Sequence, residues 1–440
     1  MSWREFQTTL KSPPLDPRRK RRLRSAVLLG AGGFAGAVYL LFGVQWFSAS
    51  EEAPSPVRVL SSGNPSEKLA LNDLVDPRAV LDGPSELRVA RGSDTWLIDL
   101  SLDGNLQRFI QKELKRNKVD WAGVAVLDPS TGEVLALGSH SEKEPGIDNL
   151  ALRATFPAAS VFKMVTASAA LEEGGYRRDS TVSFSGNMYG IGPRQVLRDS
   201  GRNGMTLAKA FAKSANIVFG KIAARNVNGG VLEDYARRFG FDDSIPFELK
   251  LAPSVAQIPK DDVADEARTA AGFGHVTLSP LHGAMLAGSV LNEGLMMEPY
   301  VIRKVTDSEG EVKYEGRPRA WRQAISAVTA RDMRRMMLTT VTEGTAQRSF
   351  RRFEKNPILG RLQLGGKTGS ISGKNPPGKT EWYVGYARSQ ERQIAVGIVI
   401  VSDRFWRIKP SLLFRDIVEY EFSPRAILEA KAEKVEVTGP

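Results

Sequence analysis

From Ser25 to Ser50 the chain carries no charged residue, and the seven residues before that run are "RRKRRLR". An apolar helix of about 20 residues spans the hydrocarbon core of a bilayer. The stretch "SAVLLGAGGFAGAVYLLFGVQWFSAS" therefore reads as a membrane segment. Basic residues flank its N-terminal side and Glu51 and Glu52 the other, which predicts a cytoplasmic N-terminus with the bulk of the chain outside. A cleavable signal peptide is the rival, because "FSAS" offers small residues for cleavage. The run is longer than the ~7–15 residues of a signal h-region, which favours an uncleaved anchor. Gly30, Gly32, Gly33 and Gly36 resemble a dinucleotide loop only superficially, since glycine is tolerated in membrane helices.

The remaining sequence is long enough, and at 42% hydrophobic residues apolar enough, for at least one large core. The net charge of +11 is unevenly placed. Residues 1–24 hold eight Lys/Arg against Glu5 and Asp16, which is +6; the other 416 residues hold 53 basic and 48 acidic residues, only +5. No further basic block interleaved with aromatics follows, so no nucleic-acid partner is expected. The chain has no cysteine, which removes disulfides and thiolate metal sites, and His140, His275 and His282 form no HExxH pattern. No metal and no cofactor is expected.

Past the membrane run, Glu51 to about Asp94 turns to Pro, Ser, Gly and charge and reads as a linker. "WAGVAVLDPSTGEVLALGS" has the alternation and turn of a hairpin in a half-buried sheet. Helical patterns then dominate. In "ASVFKMVTASAALEEGG", Val161, Val165 and Ala169 recur at helical spacing, and Gly174 with Gly175 supplies the stop. "MTLAKAFAKSANIVFGKIAARN" reads as two helices interrupted near Ser214 to Asn216, and "LEDYARRFGF" as a helix ended by Gly240. "SPLHGAMLAGSVLNEG" and "TARDMRRMMLTTVTEG" are helices closed by Gly294 and Gly344, the second opened by Thr329 with Asp332 in a near capping box. Three strands, "LQLGGKTGS", "TEWYVGYAR" and "QIAVGIVIV", follow, joined by the loop "ISGKNPPGK" and the turn "SQER", before a last helix "SLLFRDIVEYEF" and a charged tail. Strands at both ends with helices between predict one sheet packed against a helical cluster.

Ser160 and Lys163 lie three apart at the head of a buried helix, so their Cβ atoms are about 5–6 Å apart on one face. A serine hydroxyl becomes a nucleophile when a base takes its proton, and a lysine is such a base only if burial or a neighbouring cation lowers its pKa. Alone the pair is weak: with Ser and Lys each at roughly 5–7% of residues, a chain this long gives about one Ser-x-x-Lys by accident. Two further elements raise its weight. Lys-Thr-Gly occurs once, at Lys367 to Gly369, at the end of a strand and followed by Ser370. Ser-x-Asn occurs at Ser62, Ser185 and Ser214, but only Ser214 to Asn216 interrupts two helices, where a short loop can project both side chains into a cleft. In that order the three match the set of penicillin-binding proteins and class A β-lactamases, in which the middle motif is written with a central Asp.

The region from Ser101 to Asp403 resembles the transpeptidase domain of penicillin-binding proteins, with "GFGHVTLSPLHGAMLAGSVLNEG", "TEGTA" and "WYVGYA" adding to the three motifs. Many members have Thr after Lys-Thr-Gly; Ser370 here keeps the hydroxyl. Residues 51–94 are too few for a glycosyltransferase or a sizeable non-catalytic domain. The resemblance implies an α/β fold of the α+β type, an antiparallel sheet packed against a helical cluster, here behind a single N-terminal transmembrane helix. It implies that Ser160 attacks the carbonyl between the terminal D-alanines of a peptidoglycan stem peptide, that Lys163 is its base, and that Ser214 passes a proton to the leaving nitrogen. Lys367 would hold Lys163 neutral and, with Thr368, Gly369 and Ser370, bind the substrate carboxylate and strand. Asn216 would bond the substrate amide and steady Lys163, and the N–H groups of Ser160 and Ser370 would form an oxyanion hole. Trp382 and Tyr383 read as core, and His275 and His282 as structural.

The expected organisation is a basic cytoplasmic tail (1–24), a transmembrane helix (25–48), an extracytoplasmic linker (49–94), a transpeptidase domain (95–424) and a C-terminal tail (425–440). The leading expectation is a single-pass D,D-transpeptidase of the cytoplasmic (inner) membrane, facing the periplasm, inhibited by β-lactams and partnered by a glycan-strand polymerase. A D,D-carboxypeptidase or β-lactamase using the same serine, and a non-catalytic β-lactam sensor or scaffold, are the alternatives.

Overall fold

A computed structural model of the chain describes residues 71–424 except 92–93, 199–200, 404 and 406. The tail, transmembrane helix and C-terminal tail expected at 1–24, 25–48 and 425–440 lie outside the described residues, among which no helix is long and apolar enough to cross a membrane.

The framing strands are β1 (Glu86–Arg91), β2 (Asp94–Leu100), β3 (Trp121–Leu127), β4 (Val134–His140), β5 (Ile302–Thr306), β6 (Val312–Glu315), β7 (Gln363–Lys374), β8 (Pro377–Arg388) and β9 (Gln393–Ser402). The helices that matter for the site are α1 (Gly104–Arg116), α2 (Lys163–Glu172), α3 (Leu207–Lys213), α4 (Asn216–Arg225), α5 (Gly229–Arg238), α6 (Val263–Ala270), α7 (Pro280–Leu291), α8 (Ala327–Thr342) and α9 (Pro410–Glu421). Strands from both ends of the sequence meet in one antiparallel sheet ordered β7-β8-β9-β3-β4. β9 joins the C-terminal hairpins to the N-terminal one, with Ile398 opposite Val124. A second sheet, β1-β2-β5-β6, shares the large core with it through Ile98, Leu100, Ile302 and Val305.

The central sheet is covered on both faces, and the two-residue side-chain period of a strand shows how. Ala122, Val124 and Val126 of β3 and Ile394, Val396, Ile398 and Ile400 of β9 enter one core, with Leu106, Ile110 and Leu114 of α1 and Phe414 and Ile417 of α9. The intervening Trp121, Ala125, Leu127, Ala395, Val399 and Val401 enter the other, with α2, α3, α4, α5 and α7. α7 lies close on this face because Gly397 has no side chain: a Cβ there would sit 2.0 Å from the Pro280 carbonyl oxygen. β3 is consequently buried along its whole length rather than half-buried as its flanking pattern suggests.

Three further local expectations change. "ISGKNPPGK" is not a loop: β7 and β8 run on through it, pairing as far as Lys374 with Pro377. The cap of α8 is Ser326, whose hydroxyl accepts from the Thr329 N–H, so the helix starts earlier than Thr329. The described part of the expected linker, residues 71–91, is folded, since Leu71, Val75 and Val80 are buried in the large core and β1 pairs with β2 from Glu86 to Arg91. A composition rich in Pro and charge hid three well-spaced apolar anchors.

Candidate active site

Phe156 and Pro157 lead into a 3-10 turn, Ala159–Phe162, which runs directly into α2. Trp382 braces this entry: its indole N–H donates to the Pro157 carbonyl at 2.9 Å and its ring meets Phe156 edge-on at 6.2 Å. Ala159 has φ 49, and Gly272 (φ +93) abuts it so closely that a Cβ would lie 2.2 Å from the Ala159 carbonyl oxygen. Ser160 thus sits on a turn fixed from both sides, with its backbone N–H in the first turn, where no intrahelical acceptor exists. Its hydroxyl does not cap the helix. Lys163 is not a solvated charge either: it is completely buried, and its Nζ reaches Ser160 Oγ at 2.7 Å.

Two more acceptors surround that amine. Lys163 Nζ donates to Asn216 Oδ1 at 2.8 Å and to the Ala271 carbonyl at 2.6 Å, just past the end of α6. Asn216 opens α4, and the break between α3 and α4 is made by Ser214, whose φ 58, ψ 41 is left-handed. A non-glycine residue held there carries strain of order 1–3 kcal/mol, and such strain clusters at functional sites. Asn216 Nδ2 donates to the Tyr189 carbonyl at 2.9 Å, so the amide is oriented with its oxygen toward the lysine.

Lys367 enters from β7, fully buried, and donates to Ser214 Oγ at 3.1 Å and to the Thr368 carbonyl at 2.8 Å. The two lysines also lie near aromatic rings, Lys163 5.6 Å from Phe219 and Lys367 5.5 Å from Phe211. β7 is the outer strand of its sheet, and along it Thr368, Gly369 and Ser370 face Tyr383, Trp382 and Glu381 of β8. Ser370 is exposed on that edge, and Gly369 is buried against Trp382. Trp382 and Tyr383 are core residues as expected. His282 is buried, bonded to the Phe239 carbonyl at 2.7 Å, and burial holds its pKa down to about 4. His275 is exposed on a short strand.

The structure therefore brings these residues together as two adjoining hydrogen-bonded groups, Ser160 and Asn216 on Lys163 and Ser214 on Lys367, with the Lys367 charge acting on Lys163 and with Thr368, Gly369 and Ser370 continuing along the strand edge. It also adds Thr345, which sequence reasoning did not assign. Its hydroxyl lies 2.5 Å from Thr368 Oγ1, and its N–H donates to the Ala212 carbonyl at 3.0 Å, tying the "TEGTA" segment to both α3 and β7. The signal was in that segment, but a threonine after a helix-ending glycine looks like any loop residue until the strand it touches is known.

Burial of an amine away from water disfavours its charged form, and a nearby like charge adds to the effect. Both act on Lys163, whose pKa burial and then the Lys367 charge push well below the ordinary 10.5. Burial alone lowers Lys367 to about 7. Among the described residues no carboxylate hydrogen-bonds to Ser160, Lys163, Ser214 or Lys367, and no cluster of His, Asp or Glu could hold a metal ion. What remains is a hydroxyl paired to an amine whose charged form burial and the Lys367 charge disfavour, beside a second lysine and an open strand edge.

Comparisons with known proteins agree with that chemistry. The family "Penicillin binding protein transpeptidase domain" matches residues 122–417. The peptidoglycan D,D-transpeptidase PbpA of Mycolicibacterium smegmatis is 27% identical over 320 residues, which are 63% of this chain and 61% of that protein. Stage V sporulation protein D of Bacillus subtilis is 25% identical over 328 residues, 68% of this chain and 49% of that one. The chain thus spans about three fifths or less of the length of these relatives. Among solved structures, crystalline PBPA from Mycobacterium tuberculosis superposes with a TM-score of 0.61 at 23% identity, covering 73% of this chain and 80% of that one. The imipenem acyl-enzyme complex of the same protein gives 0.62 at 24% identity, covering 74% and 79%. These likenesses establish the α+β fold.

Proposed function

Because the chain belongs to the penicillin-binding protein transpeptidase family, we propose that it is a serine D,D-transpeptidase of peptidoglycan, acylated on Ser160. The observation that carries this reading is the buried Lys163 amine 2.7 Å from Ser160 Oγ with its pKa held low. As an ammonium, Lys163 donates to Ser160, Asn216 and Ala271; as a neutral amine it keeps two donors, for Asn216 and the Ala271 carbonyl, and turns its lone pair to the Ser160 proton. The Ser160 contact then reverses sense, and the serine is primed.

In the proposed reaction Ser160 Oγ attacks the carbonyl between the two terminal D-alanines while its proton passes to Lys163. The N–H groups of Ser160 and Ser370 would receive the oxyanion, where removal of one such donor typically costs about 2.7–4 kcal/mol. Ser214, bonded to Lys367, would carry a proton to the leaving nitrogen. The C–N bond breaks, D-alanine departs, and an acyl ester remains on Ser160. Lys367 and Thr368 would take the substrate carboxylate, and a bound carboxylate stabilises the Lys367 ammonium, which in turn keeps Lys163 neutral. The donor peptide would lie along the free edge of β7 as an added strand. An amine from a neighbouring stem peptide then attacks the ester, releases Ser160 and forms the cross-link. β-Lactams would acylate the same serine.

The family's setting supports a single-pass anchor over 25–48 with the catalytic body in the periplasm and a glycan-strand polymerase as partner. The proposed catalytic domain includes the folded stretch from residue 71 and ends near 424. The test is covalent labelling of the purified protein by a fluorescent penicillin, with Ser160→Ala as control. Labelling of the wild type alone, persisting for minutes to hours, is expected. Turnover within seconds would assign a β-lactamase, and absence of labelling in folded protein would leave a scaffold.

A further inference from the structure

β7 runs on past the candidate site. It ends at Lys374, four residues beyond Ser370, and as the outer strand of its sheet it pairs with β8 alone. Successive side chains of a strand alternate between its two faces. Thr368, Ser370, Ser372 and Lys374 therefore share one face, and the last three are exposed. On the other face Ile371 packs against the large core, and Gly373 lies over Pro157, where a Cβ would meet the ring at 3.4 Å. Arg153 reaches the tip of the hairpin from the segment that leads to Pro157. Its Nε donates to Thr155 Oγ1 at 2.8 Å and its guanidinium to Asn375 Oδ1 at 2.7 Å. The tip carries more positive charge than its own carboxylates offset. Lys379 is paired with Glu381, and Lys143 with Asp403, whose backbone lies beside Gly378. Among the described ion pairs none engages Lys374 or Arg153.

In the reading above, the donor's terminal carboxylate sits at Lys367 and Thr368 and its scissile carbonyl at the Ser370 N–H. That order sets a direction. The rest of the donor continues toward Lys374, antiparallel to β7. Backbone groups of an antiparallel strand turn to alternate sides, so with those of Ser370 facing the donor, those of Ser372 and Lys374 face it too. At about 3.3 Å per residue Lys374 stands about 13 Å from Ser370, alongside donor residues up to four positions upstream of the acylated D-alanine. The residues of a stem peptide that bear carboxylates fall in that stretch. A lysine on the exposed face of the edge and an arginine held at its tip supply the matching charge. We propose that Lys374 and Arg153 form a donor subsite that binds a carboxylate carried by the stem peptide upstream of its terminal D-alanines. The proposal rests on the transpeptidase reading and deepens it, since it separates the groups that select the donor from those that acylate Ser160.

The experiment uses the purified full-length chain and two synthetic thioester donors with the same D-alanyl end. One carries a free upstream carboxylate and the other has it amidated. Acylation of Ser160 is read as thiol release in a single turnover. Wild type is expected to react about fivefold faster with the free acid, the scale of exposed charge pairs, and rising salt should narrow the gap. Lys374→Gln/Arg153→Gln should take both donors at nearly equal rates, whereas Arg153→Lys, which keeps the charge, should retain most of the preference. Benzylpenicillin, whose short acyl group stops before Lys374, should acylate every variant at the wild-type rate, followed by intact mass. A wild-type rate for the free acid no higher than for the amide, or an undiminished preference in the double variant, overturns the subsite. So does a parallel slowing with benzylpenicillin, which would make the two residues supports of the hairpin. A wild type that takes neither donor nor penicillin would instead sink the transpeptidase reading, so the two failures are distinguishable.

Discussion

At the scale of single residues, the proposed chemistry rests on two buried lysines, and burial sets a pH dependence. The folded-state pKa of Lys367 is about 7 against an ordinary 10.5. Between those values the unfolded chain binds a proton that the folded chain does not, so stability rises with pH across that window, and below it the cost of a buried ammonium is carried in full. Lys163 acts in the same direction. Thermal melts of wild type should therefore rise from about pH 7 upward, and Lys367→Met should flatten that slope; an equal slope in the variant would mean that Lys367 is not the titrating group. Thr345 gives a second prediction. Thr345→Val removes the hydroxyl that meets Thr368 while keeping shape, and a hydrogen bond of this kind contributes about 1 kcal/mol. Penicillin acylation should fall roughly fivefold with little change in unfolding midpoint. That Ser160, Lys163, Ser214, Asn216 and Lys367 come together was legible in the sequence, from their side-chain types, their motif spacing and the break in helical pattern at Ser214. Thr345 and the Ala271 carbonyl were not, because what qualifies them is a tertiary neighbour: for Thr345 a strand residue 23 positions later, and for Ala271 the lysine 108 positions earlier.

At the scale of elements, the proposed active site is a junction of helix starts and one strand, and close backbone approach holds it. Gly272 follows α6 with φ +93 and meets the Ala159–Ser160 backbone. Gly272→Ala would place a Cβ 2.2 Å from the Ala159 oxygen in a conformation disfavoured for L residues. The loss of stability should be about 1–3 kcal/mol. Acylation should drop further than stability explains, since the turn that moves is the one bearing Ser160. Chemical denaturation beside penicillin labelling at full folding separates the two effects; a variant that labels at the wild-type rate would show that the turn tolerates the shift. Helices were readable from their apolar spacing and glycine stops, as in α5, where Leu232, Tyr235, Ala236 and Phe239 are all buried. The β7–β8 hairpin misled because glycine and proline in "ISGKNPPGK" signal a loop locally, while twelve consecutive pairings keep it in the sheet. The cap of α8 misled because Ser326 and Thr329 are both good caps in sequence, and only hydrogen bonding to the Thr329 N–H distinguishes them.

At the scale of the whole molecule, the sheet joins both ends of the domain, so the fold closes only when the N-terminal segment is present. Strands at either end with helices between were enough to predict this sheet, and β9 beside β3 realises it. The boundary was harder to read, because a window of Pro, Ser and charge averages away isolated apolar residues. Leu71, Val75 and Val80 are 7%, 3% and 0% exposed, and β1 covers β2 over six paired residues. Burying such side chains contributes about 1.5–3 kcal/mol each, against a total stability of typically 5–15 kcal/mol for a domain. A protein beginning at residue 95 loses all three and one whole strand, and exposes the edge of β2. It should unfold at markedly lower denaturant or accumulate as aggregate, whereas one beginning at residue 71 or earlier should fold and take penicillin on Ser160. Equal urea midpoints for the two would mean that residues 71–94 only rest on a domain complete without them. Lower stability with preserved labelling would mean that the second sheet supports the body of the fold without shaping its active site.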